Sequence, residues 1–290
     1  MAALLIAPGA WQGAARAAVA VPCSTAALIS AINTANAAGT PQTLDLSPGC
    51  TYTLTVPAAF GTRGGDGLPI ITGNITINGH DAVIRRTSAA LFRIFEVAGT
   101  LTVRNLNIFG GDAGPNTGGA ILSAHGTVTV IESAIVHNVA DSGAGISNDR
   151  GRLTLVASWV RANSTIPSAG GGGGGIYNDG TMVSQQGSIT LNNANTAGGG
   201  VYNELGGTIR FEGTYVNGNK AKQRGGGVYN GVGGTIRFND GQVKYNRAGL
   251  FGGGIYNANG TTAIVLNNTN VHVNEPSNCA PSNTVPNCFH

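Results

Sequence analysis

The chain has 290 residues, of which 47 are glycine, and its 16 basic and 13 acidic residues give a formal net charge of +3. It lacks a Gly-X-Y period, which excludes collagen, and an apolar content of 41% with this low charge disfavours disorder. The low charge also argues against a nucleic acid partner. Glycine at this level instead indicates a backbone that turns sharply at regular positions.

Residues 1–20 resemble an export signal. A short apolar run is followed by small residues that end in Ala18-Val19-Ala20, the Ala-x-Ala pattern of a signal-peptidase site. The alternative is a mature N-terminal segment, because no Lys or Arg precedes the apolar run. No later stretch is long and apolar enough to cross a bilayer as a helix. We therefore expect a secreted or cell-surface protein without a transmembrane segment.

Four cysteines form two clusters, Cys23 with Cys50 near the start and Cys279 with Cys288 at the end. Three connectivities are possible, and the clustering favours a disulfide within each end. Such bonds suit an oxidising compartment. Neither pair has Cys-x-x-Cys spacing, so the sequence predicts no metal site, and it predicts no cofactor.

Residues 21–42 are predicted to form an N-terminal cap. Ser24 is a suitable N-cap for a helix over residues 25–37, whose Leu28, Ile29 and Ile32 would cover the first unit of the domain. At the other end, prolines and the second cysteine pair predict a disulfide-closed cap over residues 276–290. Both caps would protect strand edges from pairing with other chains.

Residues 43–275 contain a repeat. A glycine-rich tetrad ends in Ile or Val at positions 121, 146, 176, 201, 228 and 255, at intervals of 25, 30, 25, 27 and 27. An apolar-x-x-Asn motif follows each tetrad, with its asparagine at positions 138, 163, 192, 219, 246 and 274. Another asparagine column occupies positions 148, 178, 203, 230 and 257. Asparagines stacked at one turn can pass amide hydrogen bonds from coil to coil.

Each interval contains three short strands in which apolar and polar residues alternate. Helical repeats would need apolar residues at i, i+3 and i+4, and a propeller blade needs about 40 residues. The sequence therefore predicts an all-β fold: a right-handed, three-sheet parallel β-helix of about nine or ten coils with a short N-terminal capping helix. Degraded motifs predict earlier strands at residues 44–46, 52–56, 75–77 and 83–84. The predicted protein is a monomer.

The Gly118-Gly119-Ala120-Ile121 tetrad, together with the apolar-x-x-Asn columns, resembles the repeats of polymorphic outer membrane proteins, first described as chlamydial adhesins. It also resembles the wider pectin-lyase-like β-helix proteins. The resemblance covers roughly residues 90–275 and implies a β-helix that binds partners at a cell surface. The second motif of that family usually begins with Phe, whereas Ile or Val occupies this position here.

Many parallel β-helices are polysaccharide lyases or glycoside hydrolases, which need acids in matched positions of adjacent coils. The acids of this chain are scattered in the sequence, and the only grouping with a neighbouring histidine is Asp112, His137 and Asp141. No cluster of the polygalacturonase or calcium-dependent lyase type occurs. These three residues are the catalytic candidates, and the alternative is that they are solvated turn residues.

Two surface features are candidates for ligand binding. Tyr177, Tyr202, Tyr229 and Tyr256 each follow an inward Ile or Val, so they are predicted to point outward, either as a strip for sugar rings or only as a stack that stabilises the sheet. Arg210 aligns with Arg237, and Lys220 with Arg247, each 27 residues apart. These basic residues either bind an anionic glycan or serve solubility.

The sequence thus favours a non-catalytic, adhesin-like protein that binds a polysaccharide, a cell-surface glycan or another cell-envelope partner. The alternative is a polysaccharide lyase or glycoside hydrolase.

Overall fold

A computed structural model describes residues 17–61, 63–167, 170–259 and 263–288. Most of the predicted export signal, residues 1–16, lies outside the described residues, as do residues 289–290 of the predicted C-terminal cap. Residues 19 and 20, at the end of the predicted signal, belong to the strand Val19–Val21, which pairs in parallel with Gln42–Leu46.

Equivalent strands of successive coils pair in parallel and in register. Ile121 pairs with Ile146, and Asn203 pairs with Asn230, so residues that share a motif lie directly above one another. Inward apolar residues alternate with more accessible ones along each strand, as in Thr127–Ile131. The fold is therefore an all-β, right-handed parallel β-helix of about 9 turns with one short helix, as predicted.

Three parallel sheets surround the core. The first, which we call the folded sheet, has 17 strands and bends into two segments. Two long strands, Asn74–Arg86 and Thr100–Phe109, run through both segments. The other strands of the first segment are Val19–Val21, Gln42–Leu46, Thr127–Ile131, Arg152–Val156, Thr181–Gln185, Thr208–Glu212, Thr235–Asn239 and Ile264–Asn267. The other strands of the second segment are Thr51–Leu54, Ala134–Val136, Trp159–Arg161, Ser188–Thr190, Tyr215–Asn217, Gln242–Lys244 and Asn270–His272.

The two remaining parallel sheets complete each coil. The corner sheet has five short strands, Val139–Ala140, Ser164–Thr165, Asn193–Ala194, Lys220–Ala221 and Arg247–Ala248. The tyrosine sheet has eight strands, Phe95–Val97, Ile121–Ala124, Ile146–Asp149, Ile176–Asn178, Val201–Asn203, Val228–Asn230, Ile255–Asn257 and Cys279–Ala280. The glycine-rich tetrads lead into the strands of this sheet.

Two different constraints favour glycine in the tetrads, in one of which Ala144 occupies the second position. The first glycine, as at Gly198, has a φ of +65°, which is unfavourable for residues with a Cβ. The second lies where the backbones of neighbouring coils approach closely: a Cβ built on Gly199 would collide with the carbonyl oxygens of Lys220 and Gly226. The repeated tetrad is thus a consequence of coil stacking as well as of sharp turning.

Both predicted asparagine columns form hydrogen-bonded ladders inside the coil corners. In the first, the side-chain amide of Asn192 donates to Asn219 Oδ1 at 3.0 Å, and Asn219 donates to Asn246 at 3.0 Å. In the second, Asn203 donates to Asn230 at 2.9 Å. These asparagines are buried, so water cannot reach the polar groups at the corner, where strand pairing is interrupted. Each side-chain amide supplies the hydrogen bonds that water would otherwise make there.

The predicted N-terminal helix and both disulfides are present, whereas Cys279–Ala280, in the predicted C-terminal cap, adds a further parallel strand to the tyrosine sheet. Helix α1, Thr25–Ala37, begins at Ser24, whose side chain accepts a hydrogen bond from the Ala27 N–H, and it buries Leu28 and Ile32 against the core. Both cysteine clusters form the expected disulfides, Cys23–Cys50 and Cys279–Cys288.

An antiparallel hairpin near the N-terminal end was not predicted. It consists of Ala59–Gly61 and Gly64–Asp66 and pairs in parallel with the strand Phe92–Arg93. Its residues do not repeat elsewhere in the chain, so the periodic motifs gave no signal for it.

Candidate functional site

The four predicted tyrosines form one column on the outer side of the tyrosine sheet. They pair in register as Tyr177, Tyr202, Tyr229 and Tyr256. Neighbouring rings are nearly parallel, with centroids 5.6, 4.6 and 5.4 Å apart. The ring faces therefore contact one another, and a ligand beside the column would meet mainly ring edges and hydroxyl groups. We call this arrangement the tyrosine ladder.

Three acids follow the same coils beside the tyrosine ladder. Asp149, Asp179 and Glu204 each come directly after an asparagine of the second ladder. The Asp179 N–H donates to the Asn148 carbonyl, and the Glu204 N–H donates to the Asn178 carbonyl, so the acids lie on three successive coils. We call them the acid column.

The acid column was missed in the sequence because its members differ in type and are 30 and 25 residues apart. The sequence does contain a signal for it, because an acidic residue directly follows each of three successive members of one asparagine column, Asn148, Asn178 and Asn203. The prediction that the acids are scattered was therefore incomplete.

The tyrosine ladder and the acid column are joined by a hydrogen bond. The Tyr177 hydroxyl donates to Glu204 Oε2 at 2.9 Å, and the other oxygen of Glu204 accepts from the Leu205 N–H at 3.1 Å. Burial, reinforced by the Glu204 carboxylate, raises the pKa of Tyr177 and of Tyr202 well above the ordinary value. Both phenols therefore stay neutral and keep their donor hydrogens at physiological pH.

The first two acids have pKa values displaced in opposite directions. Burial alone would raise the pKa of Asp149, but hydrogen bonds from Arg63 and Arg150 lower it below its ordinary value. Burial, followed by the negative charge of Asp149, raises the pKa of Asp179. Neighbouring carboxyl groups with divergent pKa values are a common feature of functional sites, although ion-pair networks in structural sites produce the same effect.

The hairpin covers the N-terminal part of this face. Arg63, in its turn, forms an ion pair with Asp149. Leu122 occupies the ladder position two coils before Tyr177, yet its side chain is fully buried. Asp149 is also buried, so the accessible part of the face begins near Tyr177.

A buried ionic cluster lies at the base of the hairpin. Arg93 donates to Asp66 Oδ1 at 2.7 Å and to Glu96 Oε2 at 3.0 Å. The Arg93 side chain is completely buried, and Asp66 Oδ2 has no hydrogen-bond partner. Burial, only partly offset by Arg93, raises the pKa of Asp66 to about 6. The cluster connects the hairpin to the tyrosine sheet and is too enclosed to be a binding surface.

The three catalytic candidates do not occupy one column. Asp112 lies in register with Val139, so His137 and Asp141 flank the matching position of the next coil. Asp112 Oδ1 accepts from the Gly114 N–H at 2.9 Å, and Asp141 accepts from the Ser142 hydroxyl at 3.2 Å. The His137 ring contacts Phe109 edge to face, with centroids 5.4 Å apart.

The basic pairs lie in register as predicted, but on different sheets. Arg210 and Arg237 lie on the first segment of the folded sheet, whereas Lys220 and Arg247 lie on the corner sheet. Arg210 forms an ion pair with Glu212, and Arg247 Nε lies 3.7 Å from Glu275. The two pairs therefore do not form one basic surface.

Within the described ranges, no group of three His, Cys, Asp or Glu side chains is arranged to hold a metal ion. No helix in that part of the chain is long and apolar enough to span a membrane. Comparisons with protein-family models, with curated proteins and with solved structures found no match.

Proposed function

We propose that this chain is a secreted or cell-surface protein that binds a glycan along the tyrosine ladder and the acid column, in the manner of an adhesin. The observation that supports this most directly is the row of phenol hydroxyls beside fixed carboxylates on successive coils. Two disulfides are compatible with an extracellular location. The resemblance to polymorphic outer membrane protein repeats supports the same function.

Recognition in this proposal depends on hydrogen bonds and not on stacking. The ring faces of the tyrosine ladder contact one another, so a sugar would lie across ring edges. The Tyr177 hydroxyl donates to Glu204 and the Tyr202 hydroxyl to Tyr229, so Tyr229 supplies a donor hydrogen for a sugar oxygen. Asp179, Glu204 and the oxygen of Tyr202 accept from sugar hydroxyls. These groups are held by sheet pairing before any ligand arrives, which reduces the entropy cost of binding.

The test is a glycan array probed with the wild type and with a Tyr202→Phe/Tyr229→Phe variant. These changes remove two hydroxyls and retain the stacked rings. Each lost hydrogen bond should weaken binding about fivefold. The matched control is Thr208→Ala/Thr235→Ala, which removes two hydroxyls from the same coils on the folded sheet. An array without any bound glycan, or equal loss in both variants, would contradict the proposal.

A glycoside hydrolase is the second candidate, favoured by the divergent pKa values of Asp149 and Asp179. Paired strands of adjacent coils lie about 4.8 Å apart, a spacing slightly shorter than the roughly 5–5.5 Å that separates the two carboxyl groups of a retaining enzyme. In this alternative, Asp179, whose pKa is raised, is the general acid, and Asp149, whose pKa is lowered, is its partner.

Release of reducing ends from a polysaccharide panel tests the hydrolase. Asp179→Asn should abolish the release, whereas Asp141→Asn should leave it unchanged. If Asp141→Asn abolished the release and Asp179→Asn did not, the catalytic residues would instead be Asp112, His137 and Asp141.

A further inference from the structure

The second segment of the folded sheet has an outer face unlike that of the tyrosine sheet. Six successive strands there contain no acidic residue: Ala134–Val136, Trp159–Arg161, Ser188–Thr190, Tyr215–Asn217, Gln242–Lys244 and Asn270–His272. Two fixed cations, Arg161 and Lys244, point outward from them. We call this surface the aromatic-basic face.

Its aromatic rings are open to solvent. Trp159 is 52% exposed and Tyr215 is 51% exposed. In the described residues neither ring stacks on another aromatic ring, in contrast to the tyrosine ladder. Both therefore present apolar ring surface to a ligand, which is the usual way in which aromatic side chains contact the apolar side of a sugar.

The spacing of these rings fits an extended polysaccharide. Trp159 pairs with Ser188, and Ser188 pairs with Tyr215, so the small Ser188 separates the two rings along the helix axis. Two strand spacings amount to about 10 Å, comparable to two pyranose units of an extended chain. A groove of about 610 Å³ adjoins Trp159 and is lined also by Arg161, His137 and Leu191.

The charges of this face specify an anionic ligand. Arg161 lies two residues after Trp159 on the same side of its strand, and no carboxylate in the described chain forms an ion pair with it. Lys244 likewise forms no ion pair there, and its ammonium group lies 5.2 Å from the centre of the Tyr245 ring. A guanidinium without a protein partner is suited to bidentate contact with a carboxylate.

We propose that the aromatic-basic face is a second binding site, specific for an extended, carboxylated polysaccharide whose rings lie on Trp159 and Tyr215 and whose carboxylates contact Arg161 and Lys244. A carboxylated glycan is favoured over a nucleic acid because the net charge of +3 offers little long-range attraction for polyphosphate. The site is independent of the tyrosine ladder, which lies on a different sheet.

The experiment is affinity electrophoresis of the full chain in gels that contain carboxymethyl cellulose, with hydroxyethyl cellulose as the uncharged counterpart. Only the carboxylated polymer should retard the wild type. Trp159→Ala should weaken retardation about tenfold, and Arg161→Gln about fivefold. Arg152→Gln is the matched cation control on the first segment of the folded sheet, where Arg152 is exposed, and should have no effect.

Tyr202→Phe/Tyr229→Phe should also leave this retardation unchanged, so failure of the tyrosine-ladder proposal and failure of this one are distinguishable. Far-ultraviolet circular dichroism of each variant establishes that it is folded. The proposal would be overturned if both polymers retarded the chain equally or if Arg152→Gln weakened retardation as much as Arg161→Gln. Tighter binding of single-stranded DNA than of the carboxylated polymer would also overturn it.

Discussion

At the scale of single residues, the asparagine ladders stabilise the corners of the coils between Asn138 and Asn274. Asn203 donates to the Gly207 carbonyl at 2.8 Å and to Asn230 Oδ1 at 2.9 Å, and it accepts from Asn178 at 2.8 Å. Asn203→Ala would leave buried polar groups on two neighbouring coils without partners, at a cost of about 2–4 kcal/mol. Urea unfolding should show this loss. Exposed Thr208→Ala is the control, with an expected change below about 1 kcal/mol; similar values for both would mean that the ladder contributes little.

Asp66 makes stability depend on pH. Its pKa is about 6 in the folded chain against an ordinary value of 3.8, so the folded state binds the proton more tightly. Protonated Asp66 makes its full contribution to the free energy of unfolding below about pH 4. This contribution is lost as the pH rises through about 6, by at most about 1.4 kcal/mol per pH unit. Asp66→Asn removes the titration. The unfolding free energy of wild type minus variant should therefore fall between pH 4 and pH 6.5. A difference that rises instead would mean that Arg93 keeps Asp66 ionised.

At the scale of elements, helix α1 closes the open end of the solenoid. Leu28 is completely buried between the helix and the first coil, while Asn33 of the same helix is exposed. Leu28→Glu would place a charge in this interface and release the helix, which exposes unpaired strand edges to other chains. Light scattering should detect larger assemblies for Leu28→Glu and a monomer for Asn33→Glu. A monomeric Leu28→Glu protein would show that the helix is not needed as a cap.

Some elements could be predicted from the sequence and others could not. Elements that repeat were predictable, because Ile146, Ile176 and their equivalents must meet the same neighbours in each coil and so share a motif. The hairpin Ala59–Gly61 and Gly64–Asp66 occurs once, and its position depends on Arg63 meeting Asp149, a contact between residues far apart in sequence. No local pattern specifies such a contact.

The same distinction applies to the candidate site. The tyrosine ladder was visible because one residue type recurs, but sequence could not show that the rings stack face to face. The acid column needed the structural register to align two aspartates with a glutamate. The aromatic-basic face was hidden for a similar reason, since Trp159 and Tyr215 are separated by a coil that has Ser188 at the matching position.

At the scale of the whole molecule, each coil contacts mainly the coil before and the coil after it. The paired registers join only strands of consecutive coils in the repeat region, so stability should be close to a sum of coil and interface contributions. A complete coil is therefore a removable unit, whereas part of a coil is not.

Deletion of residues 201–227 tests this directly. Gly200 would then precede Val228, which restores the glycine tetrad, and Asn178 and Asn192 would meet Asn230 and Asn246 in continuous ladders. We expect a folded monomer with an unchanged circular dichroism shape and a urea m-value lower by about a tenth. Deletion of residues 201–213 is the control: it leaves an incomplete coil whose apolar side chains cannot all face inward, so this chain should not fold. If the complete-coil deletion also fails to fold, the coils are not equivalent units, and stability must depend on contacts specific to each position.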